Sequence, residues 1–212
     1  MLFGLLLLQL ASYDTLRVHD IPTPPAPGSR PGVIGYGASQ LRIPTGQGTA
    51  LVWLLRSLDT VFVAAVIVDS TRHWADEFVL SIDTRGDGGP SPGHDDFQWV
   101  FRRLTDSTVV FRGRNGRWEP PKGDPDWRLK RERSGGGWEV SGLDQRLGWT
   151  LLLRLDPSWF EGAVGRLPRL AFRVYDNDPH GWFAWPLPKG TPQAASVEQA
   201  PDLWAPVRSD AE

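Results

Sequence analysis

LAFRVYDNDPHGWFAWP, Leu170–Pro186, is the stretch on which the reading of this chain turns. Apolar and polar residues alternate through Leu170–Tyr175, which predicts a half-buried β-strand. The strand runs into Asp176, Asn177 and Asp178, and two tryptophans, Trp182 and Trp185, follow closely. Carboxylates and a carboxamide then stand beside flat apolar rings at a sheet edge. That is chemistry suited to a sugar, whose hydroxyls need hydrogen-bond partners and whose C–H faces stack on rings. The same residues would also build a well-packed sandwich corner.

Working outward, short strand signals recur with turn residues between them. Val61–Val68, VFVAAVIV, is an uninterrupted apolar run of strand length and predicts a central strand covered on both sides. Thr49–Leu55 precedes it, and Glu77–Asp83 alternates as EFVLSID. Phe97–Leu104 and Ser107–Arg112 read as a hairpin pair, Trp127–Arg133 as a charged strand, and Gly137–Gly142 as another strand. Trp149–Leu155 is strongly apolar and stops at Asp156–Pro157; Ser158–Ala163 suits one helical turn capped by Ser158 or Asp156. Leu170–Tyr175 is the last clear strand. Thr84–Asp96 and Gly113–Asp126 are loops rich in turn residues. With no internal repeat and no sustained helical period, the pattern predicts an all-β fold, an antiparallel β-sandwich of jelly-roll-like kind.

Composition narrows the function. The chain has 212 residues and a formal net charge of −2. That size suits one domain with tails, and the charge gives no electrostatic case for nucleic acid or an anionic membrane surface. Arginine far outnumbers lysine, and most arginines alternate with apolar residues as solvated strand faces. There are no cysteines, which excludes disulfides, thiolate metal sites and cysteine nucleophiles. The 11 tryptophans exceed the 3 tyrosines and 9 phenylalanines, an excess shared between a core and a stacking surface. Residues 2–11, LFGLLLLQLA, are too short to span a bilayer and are similar to the apolar region of an export signal. The expected layout is a signal segment at 1–12, a strand and proline-rich connector at 13–32, the sandwich at 33–188 and a polar tail at 189–212 anchored by Leu203–Trp204.

No catalytic signature stands out: there is no GxSxG elbow, P-loop, HExxH or dinucleotide fingerprint. His19, His73, His94 and His180 lack metal-ligand spacing. Asp83, Asp87 and the neighbouring Asp95–Asp96 place oxygen ligands on a glycine-rich loop, which suits calcium and equally suits Asx turns. His73–Glu77, HWADE, sets Trp74 close to an acid pair at the mouth of a strand. If that loop meets the loop after Asn177, rings from opposite sides face each other across a slot.

The order VFVAAVIVDS, WADEFVLSID, GWTLLLRLDPSWF, RLAFRVYDND and a closing Trp185 resembles the family-nine carbohydrate-binding modules and the wider DOMON-like sandwich group. The resemblance covers roughly Thr49–Pro186. Two features depart from the family pattern: TLLLRLDP lacks a glutamate ahead of its proline, and an early Asp-Gly…Trp opening is missing. The resemblance implies a β-sandwich that binds ends of xylan- or cellulose-like chains, or short oligosaccharides, and carries structural calcium. It implies Trp74 as the first sandwiching ring, Glu77 as a hydroxyl acceptor and Asn177 as the amide partner. Trp185, or less favourably Trp182, is the second ring.

The leading expectation is therefore an exported, non-catalytic sugar-binding module that supports polysaccharide breakdown. A structural module of the same fold predicts instead that the rings are buried. A haem-binding DOMON-type module is disfavoured, because Met1 is the sole methionine and the histidines are scattered; no haem is expected. A glycoside-acting enzyme would need two carboxylates roughly 5–10 Å apart across a cleft.

Overall fold

The structure is a computed structural model and describes residues 15–26, 41–104, 107–132, 137–178, 180–187 and 197–208. The apolar start, the second half of the proline-rich connector and residues 189–196 and 209–212 of the polar tail lie outside the described residues. Among the described residues fourteen strands form two packed sheets. They are β1 (Leu16–Arg17), β2 (His19–Asp20), β3 (Leu41–Pro44), β4 (Thr49–Ser57), β5 (Thr60–Val68), β6 (Glu77–Asp83) and β7 (Asp96–Arg102). They continue with β8 (Thr108–Arg114), β9 (Arg117–Glu119), β10 (Trp138–Gln145), β11 (Gly148–Leu155), β12 (Arg169–Asn177), β13 (His180–Trp185) and β14 (Ala205–Arg208).

The larger sheet runs β1-β14-β12-β6-β7-β8-β9, with β13 also paired to β12. The smaller runs β10-β11-β5-β4-β2, with β3 on β4. Pairing is antiparallel except where the two-residue strands β1 and β2 join β14 and β4 in parallel. The expected sandwich stands, with this N-terminal strap making both sheets mixed.

Period-two alternation fills the space between the sheets. Phe78, Leu80 and Ile82 of β6, Phe97, Trp99 and Phe101 of β7, and Phe172 and Val174 of β12 meet Val61, Val63, Ala65 and Leu153 of the other sheet. Trp159 plugs this core and is fully buried, edge-on to Phe97 and to Trp99 at 4.7 Å from each. It is delivered there by a short 3-10 turn, Pro157–Phe160, whose cap is Asp156, accepting from the Ser158 N–H at 2.9 Å. As expected, β5 is covered on both faces. Its outward Phe62 and Ala64 are buried with Trp53, Leu55 and Leu152, and Ile21 of the strap packs over them.

Gly113–Asp126, read as a loop, carries the short strand β9, which pairs back on β8, and three further elements differ from the sequence expectation. Trp127–Leu129 is a 3-10 turn rather than a strand, because the Asp126 carboxylate accepts from the Arg128 N–H and starts a turn. Leu170–Tyr175 is not the last strand: β13 and β14 both pair with β12 after it. Of the strand expected over Tyr13–Asp20, Tyr13 and Asp14 lie outside the described residues and the rest gives only the two short pairings of the strap.

One buried cation ties the two sheets together. Arg103, just past β7, is 1% exposed at its side chain. It donates to Asp69 at 2.8 Å, to Asp76 at 3.3 Å and to Asp144 at 2.8 Å, and to the carbonyls of Thr71, Gln145 and Gly148. Asp69 follows β5, Asp76 precedes β6, and Asp144 and Gly148 belong to the β10–β11 hairpin. Gly148 must be glycine: its φ is +146°, and a Cβ there would lie 2.0 Å from the Ile67 carbonyl oxygen. A guanidinium so placed uses its planar fork fully. Replacing Arg103 by Met leaves buried carboxylates without their counter-ion, so urea denaturation at pH 7 should show a loss of about 3–5 kcal/mol.

Candidate functional site

Register places four functional side chains in one row across the outer face of the larger sheet. Trp182 of β13 lies opposite Tyr175 of β12, Tyr175 opposite Glu77 of β6, and Glu77 opposite Arg102 of β7. The Trp182 and Tyr175 rings are 4.8 Å apart, and Arg102 Nε donates to Glu77 Oε1 at 2.8 Å. The next rows add Arg173, Val100, Val109, Gln98 and Phe111. All of these but Tyr175, together with Trp118 and Glu198, line a cavity of about 270 Å³. Its floor is apolar, through Val100, Val109 and Phe111, and its walls are two rings and a set of charged and amide groups. An apolar floor with few fixed polar groups is the general form of a small-molecule site.

Arg173 lies over the Trp182 ring, its guanidinium carbon 4.3 Å from the centroid. That contact fixes the ring by cation–π attraction. Burial pulls the Arg173 pKa below the usual arginine range, and the neighbouring Glu198 and Glu77 carboxylates oppose the shift.

The structure separates the sequence-predicted residues. Glu77 and Trp182 share the cavity. Trp185 does not join them: it faces Phe172 across the β12–β13 ladder, with ring centroids 6.2 Å apart, and packs against the core. Alternation along β13 sends Trp182 and Ala184 outward and Phe183 and Trp185 inward, so the ring preferred from sequence lies on the opposite face from Trp182 and from the cavity. Trp74 is exposed, beside His73, in the turn before β6 and outside the cavity lining. Asn177 ends β12. Its backbone N–H donates to Asp76 Oδ1 at 3.2 Å, while the other Asp76 oxygen accepts from the His73 N–H at 3.1 Å. Asp76 thereby clasps the Trp74 turn to the β12–β13 turn at the same sheet end as Trp182. Burial raises the Asp76 pKa, and those two backbone donors oppose the rise.

Gln98, Trp118, Arg173 and Glu198 were not anticipated. Strand alternation carried the signal for Gln98 and Arg173; Trp118 and Glu198 depend on tertiary folding.

At the opposite end of β6, Asp83, Asp95 and Asp96 bring carboxylate oxygens within 4.8 Å of one another. Asp87, paired with Asp83 in the sequence reading, is exposed and outside this group. Asp83 is held as an Asx turn, accepting from the N–H groups of Arg85, Gly86 and Gly88 at 3.1, 2.6 and 2.9 Å. Asp95 Oδ2 and Asp96 Oδ1 are buried without a hydrogen-bond partner. Among the described residues no arginine or lysine pairs with the three. Burial, with the like charges of Asp83, Asp95 and Asp87 adding to it, pushes the Asp96 pKa up to about 8. The contrast with the Asp69–Asp76–Asp176 group is direct, since there Arg103 supplies the positive charge.

The fold is that of the family-nine carbohydrate-binding modules. One such module, from Caldicellulosiruptor kristjanssonii in complex with cellotriose, matches with a TM-score of 0.62 and 14% identity over 94% of this chain and 96% of its own. Another from the same organism, in complex with glucose, matches with a TM-score of 0.57 and 16% identity over 92% and 97%. No protein-family model and no curated protein matches the chain. The wider DOMON-like grouping remains a resemblance of sequence motifs.

The Asp96 shift sets a pH dependence with a definite sign. A carboxyl whose folded pKa exceeds its unfolded value near 3.8 stabilises the fold fully below that value and loses its contribution as pH rises toward about 8. In chelator, the melting temperature should therefore fall between pH 4 and pH 8. Asp96→Asn should flatten that fall, as measured by circular dichroism melts across the range.

Proposed function

We propose that the chain is a non-catalytic carbohydrate-binding module that takes cellulose- or xylan-like oligosaccharides and chain ends on the cavity face. The observation that carries this is the row Trp182–Tyr175–Glu77–Arg102 above an apolar floor. A sugar ring would stack its C–H face on Trp182, while Glu77, Gln98 and Arg102 serve its hydroxyls, which are costly to bury unpaired. Trp118 borders the other side, and Trp74 and Asn177, on turns both held by Asp76 outside the lining, are where a longer ligand would extend. Cellotriose and glucose, bound by the two structural neighbours, belong to the same chemical class. Glu77 and Glu198 are each held in ion pairs by arginine, an arrangement for accepting hydrogen bonds rather than for handing over a proton. The apolar stretch at 2–11 is read as an export signal, which would place the module where polysaccharide is broken down. Among the described residues no helix is long and apolar enough to cross a membrane.

Asp83, Asp95 and Asp96 fit structural calcium: three carboxylates converge, two of their oxygens are unpartnered, and among the described residues no arginine or lysine compensates them, only the exposed His94 beside Asp95 at 3.5 Å. Asp87 is left out of the set.

Tryptophan fluorescence titrated with cello- and xylo-oligosaccharides tests the site. Wild type should show saturable quenching, and Trp182→Ala should weaken binding at least tenfold with circular dichroism unchanged. Trp185→Ala should lower stability instead. Equal binding by wild type and Trp182→Ala would refute the assignment. Calcium should raise the melting temperature at pH 8 far more than at pH 4, and Asp96→Asn should remove most of that rise.

A further inference from the structure

We infer that Glu198, carried by the C-terminal stretch from Val197 to Trp204, sets this face to neutral saccharides and turns acidic ones away. The inference rests on the sugar-binding reading above and names the residue that selects among sugars.

The stretch is built into the body. Trp204 is 1% exposed, and its indole N–H donates to the Val197 carbonyl at 2.6 Å, closing the segment on itself. Its ring lies parallel to that of Trp118, at 3° and with centroids 6.3 Å apart, and packs with Ala171 on the outer face of β12. The Asp202 N–H donates to the Gly89 carbonyl at 3.1 Å, and Arg169 Nη1 donates to the Asp202 carbonyl at 3.0 Å. Glu198 is therefore held in place at the cavity wall.

Its carboxylate occupies the anion position beside the buried Arg173. Arg173 Nη1 pairs with Glu198 Oε2 at 2.7 Å, and Gln98 Nε2 donates to Glu198 Oε1 at 3.3 Å. Gln98 is also bonded to Ser81 Oγ at 3.2 Å, so its amide has a fixed direction. Arg173 is buried, its side chain 4% exposed, whereas Glu198 is 22% exposed. Arg173 needs a counter-ion, because a buried charge without one is costly. The charged residues lining the cavity are Glu77 and Glu198 against Arg102 and Arg173, two of each sign in two ion pairs.

A neutral sugar meets this face without disturbing either pair, and its hydroxyls find open lone pairs on both carboxylates. A uronate brings a carboxylate of its own. It must either displace Glu198 from Arg173 or lie beside Glu198 and Glu77, whose charges already offset those of the two arginines. Both routes carry like-charge repulsion in a partly desolvated site, where charges interact more strongly than in water. Glu198→Gln removes the internal anion at nearly constant shape and leaves Arg173 to be neutralised by the ligand.

The test is titration of wild type and Glu198→Gln with cellobiose and with glucuronate at pH 7 and low salt, followed by tryptophan fluorescence. Wild type should bind cellobiose and bind glucuronate at least tenfold more weakly. Glu198→Gln should shift the ratio of the two affinities toward glucuronate by at least tenfold. The double variant Arg173→Met, Glu198→Gln removes the freed cation with its counter-ion and guards against misfolding of the single variant. Its preference for cellobiose should fall below the wild-type ratio without reversing. Wild-type selectivity retained in either variant overturns the role of Glu198 while leaving the sugar-binding reading in place. A wild type that binds neither sugar overturns both.

Discussion

The Arg103 guanidinium is the contact on which the arrangement of the face depends. It sits where three separate loops converge, and each loop brings it a carboxylate or a carbonyl. Asp69 fixes the exit of β5, Asp76 the entry of β6, and Asp144 with Gly148 the hairpin of the opposite sheet. Hydrophobic packing alone would hold two sheets together while leaving their offset loosely set. Directional charge-assisted bonds set it. Asp76 then passes that constraint on, because its two oxygens also accept from the His73 and Asn177 backbone N–H groups. The turn carrying Trp74 and the turn leading to Trp182 are thus positioned by the same buried ion cluster.

The two acidic groups of the molecule illustrate two solutions to one electrostatic problem. Converging buried carboxylates repel each other and resist ionisation. At Asp69, Asp76 and Asp176 the chain supplies its own cation. At Asp83, Asp95 and Asp96 it supplies no arginine or lysine among the described residues, only the exposed His94 beside Asp95, and oxygens of Asp95 and Asp96 lack partners. The first solution makes the sheet offset independent of any ion in solution. The second leaves the β6–β7 end with a carboxyl whose pKa is pushed up to about 8, which is the basis of the calcium proposal.

Much of the fold was legible in the sequence, because period-two alternation and turn residues are local signals. VFVAAVIV announced a strand covered on both faces, and EFVLSID and RLAFRVY announced strands with one face in the core. The site was legible only in part. Glu77 was readable from its place at the head of a strand, but choosing between Trp182 and Trp185 required the register of β13 against β12. A shift of one position reverses the face of every side chain, and HGWFAW, apolar at four of its six positions, does not declare its register. Asp95 and Asp96 were seen beside Asp83, but which acids converge is decided by the β6–β7 pairing, which puts Asp83 opposite Asp96. Glu198 lay in a stretch read as a polar tail. Nothing local marks it; its place is set by Trp204 docking on Ala171 and Trp118.

The central claim is that the outer face around Trp182, rather than the buried rings, receives the ligand. Indole N–H resonances, observed by ¹⁵N-labelled tryptophan NMR during titration with cellotriose, report on this directly. The account predicts saturable shifts for Trp182 and Trp118, with Trp99 and Trp159 of the core unmoved. Shifts confined to Trp127, or an unchanged spectrum at saturating cellotriose, would contradict it.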